Sequence, residues 1–275
     1  MSFEIGLKNL ERMDGSRASC GLVPDWLPRA QASRAEFQAA TPFPHLVLDD
    51  LFPPQALQAV LADFPAVPDA HWRHFDDGSG RKRSLQREAA MGSATRAFLR
   101  QLNSARFLGV LEALTGIEGL IADPGFEGGG LHEIERGGFL KIHADFNRHP
   151  RLRLERRLNL LIYLNKDWRE EYGGHLELWP ADMSSCARRI LPVFNRCVVF
   201  STTDVSFHGH PEALTCPPGW SRKSIALYYY SVGRPAHQLS RAHSTLYQRR
   251  PGERIFAPTK MARSLWHRLT GRAGR

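Results

Sequence analysis

The chain has 275 residues, 42% of them apolar, which is enough for one sizeable core, and no run of eighteen apolar residues occurs that would predict a membrane-spanning helix. Its net charge of +9 is concentrated at one end, because residues 241–275 hold nine Lys or Arg against one Glu, so the charge alone does not argue for nucleic acid. Four cysteines, Cys20, Cys186, Cys197 and Cys216, form no CxxC or Cys/His cluster of zinc spacing, which predicts reduced thiols in a soluble, cytoplasmic protein.

In chain order, residues 1–41 form a loosely patterned lead-in with a helix expected around "RAQASRAEFQAA". "HLVLDD" (45–50) reads as a strand. "PPQALQAVLADF" then reads as a helix, with Pro at its start and Leu57, Val60, Leu61 and Phe64 on one face. "SATRAFLRQLNS", with Ser93 as its expected cap, and "ARFLGVLEALTG" are two further amphipathic helices, so the first 120 residues are expected to be mostly helical. From residue 128 the apolar period shortens and turn residues punctuate it. "GLHEIE", "GFLKIHAD", "RLNLLIYLN", "GGHLELW", "RCVVFST" and "RKSIALYYYSV" read as strands without intervening helices. Such a run suggests an antiparallel barrel or jelly roll with the helices packed outside, a mainly β domain with flanking helices (α+β). The Gly cluster "GFEGGG" lacks the spacing of a Rossmann or Walker loop. The end, "TKMARSLWHRLTGRAGR", is expected to be a basic helix with Met261, Leu265, Trp266 and Leu269 on its apolar side.

Three short motifs compete as half of a metal site. His143 and Asp145 stand two apart on the strand "GFLKIHAD", where residues i and i+2 share a face, so an imidazole and a carboxylate aim at one point. Two His and one carboxylate form the ligand set of non-haem Fe(II) oxygenases, and "SFHGHP" offers His208 or His210 as the third ligand. His74 and Asp76 precede the strand region and run into the polar "DGSGRKR", which suggests a surface loop; His175 and Glu177 lie on a credible strand and remain a competitor. A core histidine held by a hydrogen bond is the plain alternative for His143. Arg222 and Ser224 share a face of the last long strand, and an arginine aimed into a barrel is costly unless it meets an anion such as the far end of a dicarboxylate. Arg148, Arg151, Arg153, Arg156 and Arg157 form a second basic knot, read as a solvated loop or, with the tail, as a surface for a phosphate, an acidic partner or a membrane.

Taken together, "IHADFN", "SFHGHP", "RKS" and "LIYLNKDWREEYGGHLELWP" resemble, in order, the HxD, distal His, RxS and YLNKDW/GGxL signatures of 2-oxoglutarate and Fe(II)-dependent oxygenases of the prolyl 4-hydroxylase-like group. The resemblance covers roughly residues 42–232, with a helical part at 52–120 and a jelly-roll part at 128–232, and leaves a basic extension at 233–275 without a counterpart. It implies a double-stranded β-helix, a cupin-like jelly roll. Iron would be held by His143, Asp145 and His208, with His208 preferred to His210 because it precedes Gly, and 2-oxoglutarate by Arg222, Tyr163 and Ser224. It further implies a hydroxylase that takes O2 and decarboxylates 2-oxoglutarate to succinate, with ascorbate as an optional reductant. Asp145 argues against a halogenase, which lacks that carboxylate, and Tyr228 occupies the position where nucleic-acid demethylases carry a second Arg. The gap of fourteen residues from His208 to Arg222 exceeds that of the similar prolyl hydroxylases and leaves the register of Ser224 open. Substrate contacts are expected from His132, Arg148 and Asn159 near the mouth, with an anionic or carrier-bound substrate suggested by the charge; a peptidyl or free amino acid and a biosynthetic intermediate all stay open. Two other classes remain: a cupin-like module without catalysis, and an adaptor acting through the basic tail.

Overall fold

The structure, a computed structural model, describes residues 26–64 and 67–253. The expected C-terminal helix, Cys20 and most of the lead-in lie outside the described residues. Two short helices, α1 (Trp26–Ala32) and α2 (Arg34–Ala39), replace the single one expected around residue 33. Strand β1 (His45–Asp49) and helix α3 (Pro54–Asp63) follow as expected, with Leu57, Val60 and Phe64 buried.

Helix α4 (Ser93–Leu102) begins one residue earlier than a Ser93 cap would require. Gly92 is its N-cap, and Asp63 from the end of α3 supplies the missing acceptor, taking the Thr95 N–H at 2.8 Å and the Thr95 hydroxyl at 2.7 Å on one carboxylate oxygen. A cap from another helix leaves no local signature in sequence. Helix α5 (Ala105–Thr115) carries its own cap, the Ser104 hydroxyl accepting from the Phe107 N–H, and stops at Gly116 in the left-handed region.

The first 120 residues are less helical than expected. A hairpin of β2 (Arg73–Asp76) and β3 (Gly80–Leu85) lies between α3 and α4, and β3 inserts into the main sheet between β5 (Gly130–Glu135) and β6 (Phe139–Ala144). No apolar alternation betrays "GRKRSL", because the strand is held by charge. Arg83 faces Glu133 of β5 and donates to its Oε2 at 2.8 and 3.1 Å. His74 and Asp76, expected on a loop, lie exposed on β2.

The remaining strands are β4 (Ile121–Ala122), β7 (Glu155–Tyr163), β8 (Leu176–Trp179), β9 (Arg188–Ile190), β10 (Arg196–Ser201), β11 (Phe207–His210), β12 (Ser221–Ser231) and β13 (Leu246–Tyr247). They pair antiparallel in the order β1-β10-β7-β12-β5-β3-β6-β11-β8-β9. Phe200 of β10 meets His208 of β11 with ring centroids 4.7 Å apart, although five strands lie between them in that order, so the sheet curls over on itself into a jelly roll.

Alternation along β7 and β12 divides the interior. Leu158, Leu160 and Ile162 with Ile225, Leu227 and Tyr229 pack against the helices, while Asn159 and Leu161 with Arg222, Ser224, Ala226 and Tyr228 line a cavity inside the curl. The Tyr229 hydroxyl donates to the Leu102 carbonyl at 3.1 Å and ties α4 to the sheet. Asp63→Ala is expected to lower unfolding free energy by about 1 kcal/mol through the lost cap of α4. Urea denaturation checks this, with the midpoint falling at an unchanged slope.

Candidate metal centre and co-substrate pocket

The curl brings two antiparallel strands, β6 and β11, together with His143 and His208 as directly opposed partners. Their close approach depends on Gly209, where an added Cβ would stand 2.7 Å from the Lys141 carbonyl. Asp145 follows β6 two residues after His143, on the same face. The three offer donor atoms that all lie within 4.8 Å of one another, and all three residues are buried.

Each imidazole is oriented by its own strand. His143 Nδ1–H donates to the Lys141 carbonyl at 2.8 Å and His208 Nδ1–H to the Ser206 carbonyl at 2.9 Å, so both rings turn Nε2 inward. Those nitrogens lie 3.6 Å from Asp145 Oδ1 and 3.5 Å from Asp145 Oδ2 respectively. Burial and the neighbouring His143 push His208 down to about 4, so it is a neutral ligand at ordinary pH. Two imidazole nitrogens and one carboxylate suit a divalent transition metal with open positions.

Asp145 itself is held by Arg156, the feature that sequence reading missed. Taken there for one of a solvated or mouth-flanking knot, Arg156 is fully buried beneath the centre. Its Nη2 donates to Asp145 Oδ2 at 2.9 Å, and Asn159 Nδ2 donates to the same oxygen at 2.7 Å. Arg156 also donates to Asn159 Oδ1 at 3.1 and 2.8 Å, and its guanidinium lies between the rings of Tyr228 (3.5 Å) and Phe146 (4.4 Å). Burial opposes ionisation of Asp145, but Arg156 and the two histidines outweigh it and hold the carboxyl well below its usual range. With Oδ2 occupied, Oδ1 is the oxygen left for a metal. The one local signal in sequence was a pair, Arg156-Arg157, placed on opposite faces at the entry of an apolar strand. Of the other arginines, Arg148 bonds Glu155, Arg151 meets Glu127, Arg153 is exposed, and Arg157 donates to the Ser231 hydroxyl and Gly233 carbonyl.

At the far end of the cavity, Arg222 Nη2 donates to the Tyr163 hydroxyl at 3.3 Å and Nε to the Gly174 carbonyl at 2.8 Å. Ser224 stands directly across from Tyr163 in the β12–β7 ladder, so the register left open by the long gap brings the two side by side. The extra residues form a segment whose Leu214 and Cys216 pack with Ile134 and Trp168. His132 lines the cavity and donates from Nε2 to the Gly128 carbonyl at 3.1 Å, with burial and Lys82 pushing it down to about 3. Asn159 also lines it but is engaged by Asp145 and Arg156; Arg148 lies outside it. His210 lines the cavity without belonging to the triad. His175 pairs with Glu170, and Glu177 accepts from the Trp179 indole, so this competitor assembles no third ligand among the described residues. Tyr247 of β13, beyond the span of the resemblance, pairs with His143 and rests its ring 5.7 Å from it.

Residues 129–230 match the model of the family described as the 2OG-Fe(II) oxygenase superfamily. Prolyl 3-hydroxylase OGFOD1 of Mus musculus is 33% identical over 86 residues, covering 29% of this chain and 15% of that protein, so the chain matches only a small part of that relative's length. Among solved structures, a Pseudomonas putida prolyl-4-hydroxylase aligns over 74% of this chain and 100% of its own at 18% identity and a TM-score of 0.55. A Trichoplax adhaerens prolyl hydroxylase, solved with a hypoxia inducible factor peptide fragment, aligns over 74% and 90% at 16% identity and 0.57. The match to the 2OG-Fe(II) oxygenase superfamily model spans the strands that build the site, and the fold is similar to the double-stranded β-helix of the prolyl 4-hydroxylases.

Arg156→Met is expected to weaken Co(II) binding by roughly tenfold to a hundredfold, read from the visible bands of the bound ion, with Arg156→Lys recovering part of the loss. The metal-free protein is also expected to lose stability as pH falls. Above pH 6.5 His132 is neutral in both states; between 6.5 and about 3 only the unfolded chain takes up the proton, so unfolding is favoured progressively. His132→Gln is expected to remove up to roughly 1.4 kcal/mol per pH unit from that slope, measured by urea denaturation at pH 7 and pH 5.

Proposed function

We propose that the protein is a 2-oxoglutarate-dependent dioxygenase that hydroxylates its substrate, with Fe(II) held by His143 Nε2, Asp145 Oδ1 and His208 Nε2. The observation that carries this reading is a buried His-Asp-His cluster at one end of a cavity whose other end presents Arg222, a guanidinium with no carboxylate partner among the described residues. When bound there, Fe(II) with 2-oxoglutarate and O2 would supply oxidative decarboxylation, to succinate and carbon dioxide, coupled to hydroxylation.

The chain's own residues select and orient the co-substrate. Arg222 receives the distal carboxylate, supported by the Tyr163 hydroxyl and by Ser224 beside it. Tyr163 is fully buried, and burial raises its pKa, so it stays a neutral donor. Leu161, Leu176, Ile134 and Leu140 form apolar walls between the two polar ends, which exclude water and strengthen both contacts. With a carboxylate at position 145, hydroxylation is the outcome in keeping with the site. The related proteins named above act on prolyl groups, which supports an amino-acid or peptidyl substrate; a biosynthetic intermediate fits the same chemistry.

Anaerobic addition of Fe(II) and then 2-oxoglutarate to the purified protein is expected to produce a weak visible charge-transfer band, absent in Asp145→Ala. Arg222→Ala is expected to retain iron while needing at least roughly tenfold more 2-oxoglutarate for the same band. Iron binding without a band in the wild type would instead indicate a catalytically silent module.

A further inference from the structure

We infer that the substrate to be hydroxylated carries an anionic group, a carboxylate or a phosphate, which Lys82 of β3 receives on the wall of the active-site cavity. This rests on the reading of the site given above, because Arg222 is there assigned to the co-substrate.

The placement follows from the hairpin that inserts into the sheet. Gly80 and Arg81 pair with Leu140 and Phe139 of β6, while Arg83, Ser84 and Leu85 pair with Glu133, His132 and Leu131 of β5. Strand alternation then puts Lys82 on the same face as Ser84, whose cross-strand partner His132 lines the cavity. Lys82 lines it too, together with Asp145, His210 and Arg222. The Arg83–Glu133 pair on the opposite face clamps the strand in this register.

The charges in the cavity do not balance. Among its lining residues the one carboxylate is Asp145, and Arg156 already answers it from beneath. Arg222 meets a carbonyl and a hydroxyl, and among the described residues the ammonium of half-buried Lys82 meets the Phe75 ring, 5.5 Å away, and no carboxylate at ion-pair distance. The co-substrate would bring two negative charges, one for Arg222 and one for a metal that itself carries two positive charges. Lys82 therefore remains unanswered in a site that stays positive after the co-substrate is bound, an arrangement that favours an incoming anion. Burial lowers its pKa, Asp145 raises it, and the like charges of Arg156 and Arg222 lower it, so an anion arriving beside it would favour the ammonium form. A second observation points the same way: His210 is only 3% exposed, lines this cavity, and among the described residues has no hydrogen-bond partner on either ring nitrogen.

The test uses the full chain saturated with Mn(II) and 2-oxoglutarate, titrated calorimetrically with inorganic sulfate as a phosphate-like probe and, in a second arm, with acetate as a carboxylate. At least one anion is expected to bind, and the arm that responds identifies the chemistry. Lys82→Met is expected to weaken that binding roughly tenfold or more while changing 2-oxoglutarate affinity less than about twofold, and Lys82→Arg to restore it. Binding of neither anion, or anion binding unchanged in Lys82→Met, overturns the inference. So does a tenfold loss of 2-oxoglutarate affinity in that variant, which makes Lys82 a second co-substrate anchor. Failure of the wild type to take up 2-oxoglutarate at all would instead strike the assignment of the site.

Discussion

The buried pair of Arg156 and Asp145 is the constraint on which the centre depends. A carboxylate taken out of water would ordinarily keep its proton, and a protonated Asp145 would be a poor ligand. Arg156 prevents this from below, and it is itself kept in place by the Tyr228 and Phe146 rings and by Asn159. Both donors converge on one oxygen of Asp145, which leaves the other facing His143. Charge and direction are thus set by the fold, before any ligand arrives. The desolvated guanidinium and carboxylate gain little net stability from each other, and the gain lies in orientation.

A single strand links this constraint to the other end of the pocket. Arg156 stands at the entry of β7, Asn159 follows under Asp145, Leu161 forms wall, and Tyr163 reaches Arg222. From Asn159 to Tyr163 the strand advances about 13 Å. Both faces of β7 are covered, one by helices and one by the cavity wall, so from Leu158 to Tyr163 the strand reads as nearly continuous apolar sequence, with Asn159 and Tyr163 as its polar members. The two histidines of the proposed metal centre come from β6 and β11 on the opposite side of the curl, and the register of His143 against His208 brings their rings to 4.5 Å.

What could be read from sequence was whatever depends on local period or on ordered motifs. The long strands and α3, α4 and α5 announced themselves through apolar spacing, and His143, Asp145 and His208 through their order along the chain. Strand β3 was hidden because its cross-strand energy comes from Arg83 and Glu133, which look like surface charge in one dimension. Arg156 was hidden for the same reason, since an arginine in a basic knot gives no sign that Tyr228, seventy-two positions later, will close over it. The cap of α4 by Asp63 and the packing of Tyr247 on His143 are likewise contacts across the chain. Lys82 belongs with them, its inward direction being a consequence of a strand that the hydrophobic pattern does not show.

The central claim is that Asp145 is charged and aimed in advance, with Oδ2 bound by Arg156 and Asn159 and Oδ1 offered to the metal. Anomalous diffraction from crystals of the protein grown with Mn(II) and 2-oxoglutarate tests it most directly. The account predicts one peak bonded to His143 Nε2, Asp145 Oδ1 and His208 Nε2, with the Arg156 and Asn159 contacts to Oδ2 intact. A peak at His175 and Glu177, or a metal bonded through Oδ2 with Arg156 displaced, would contradict it.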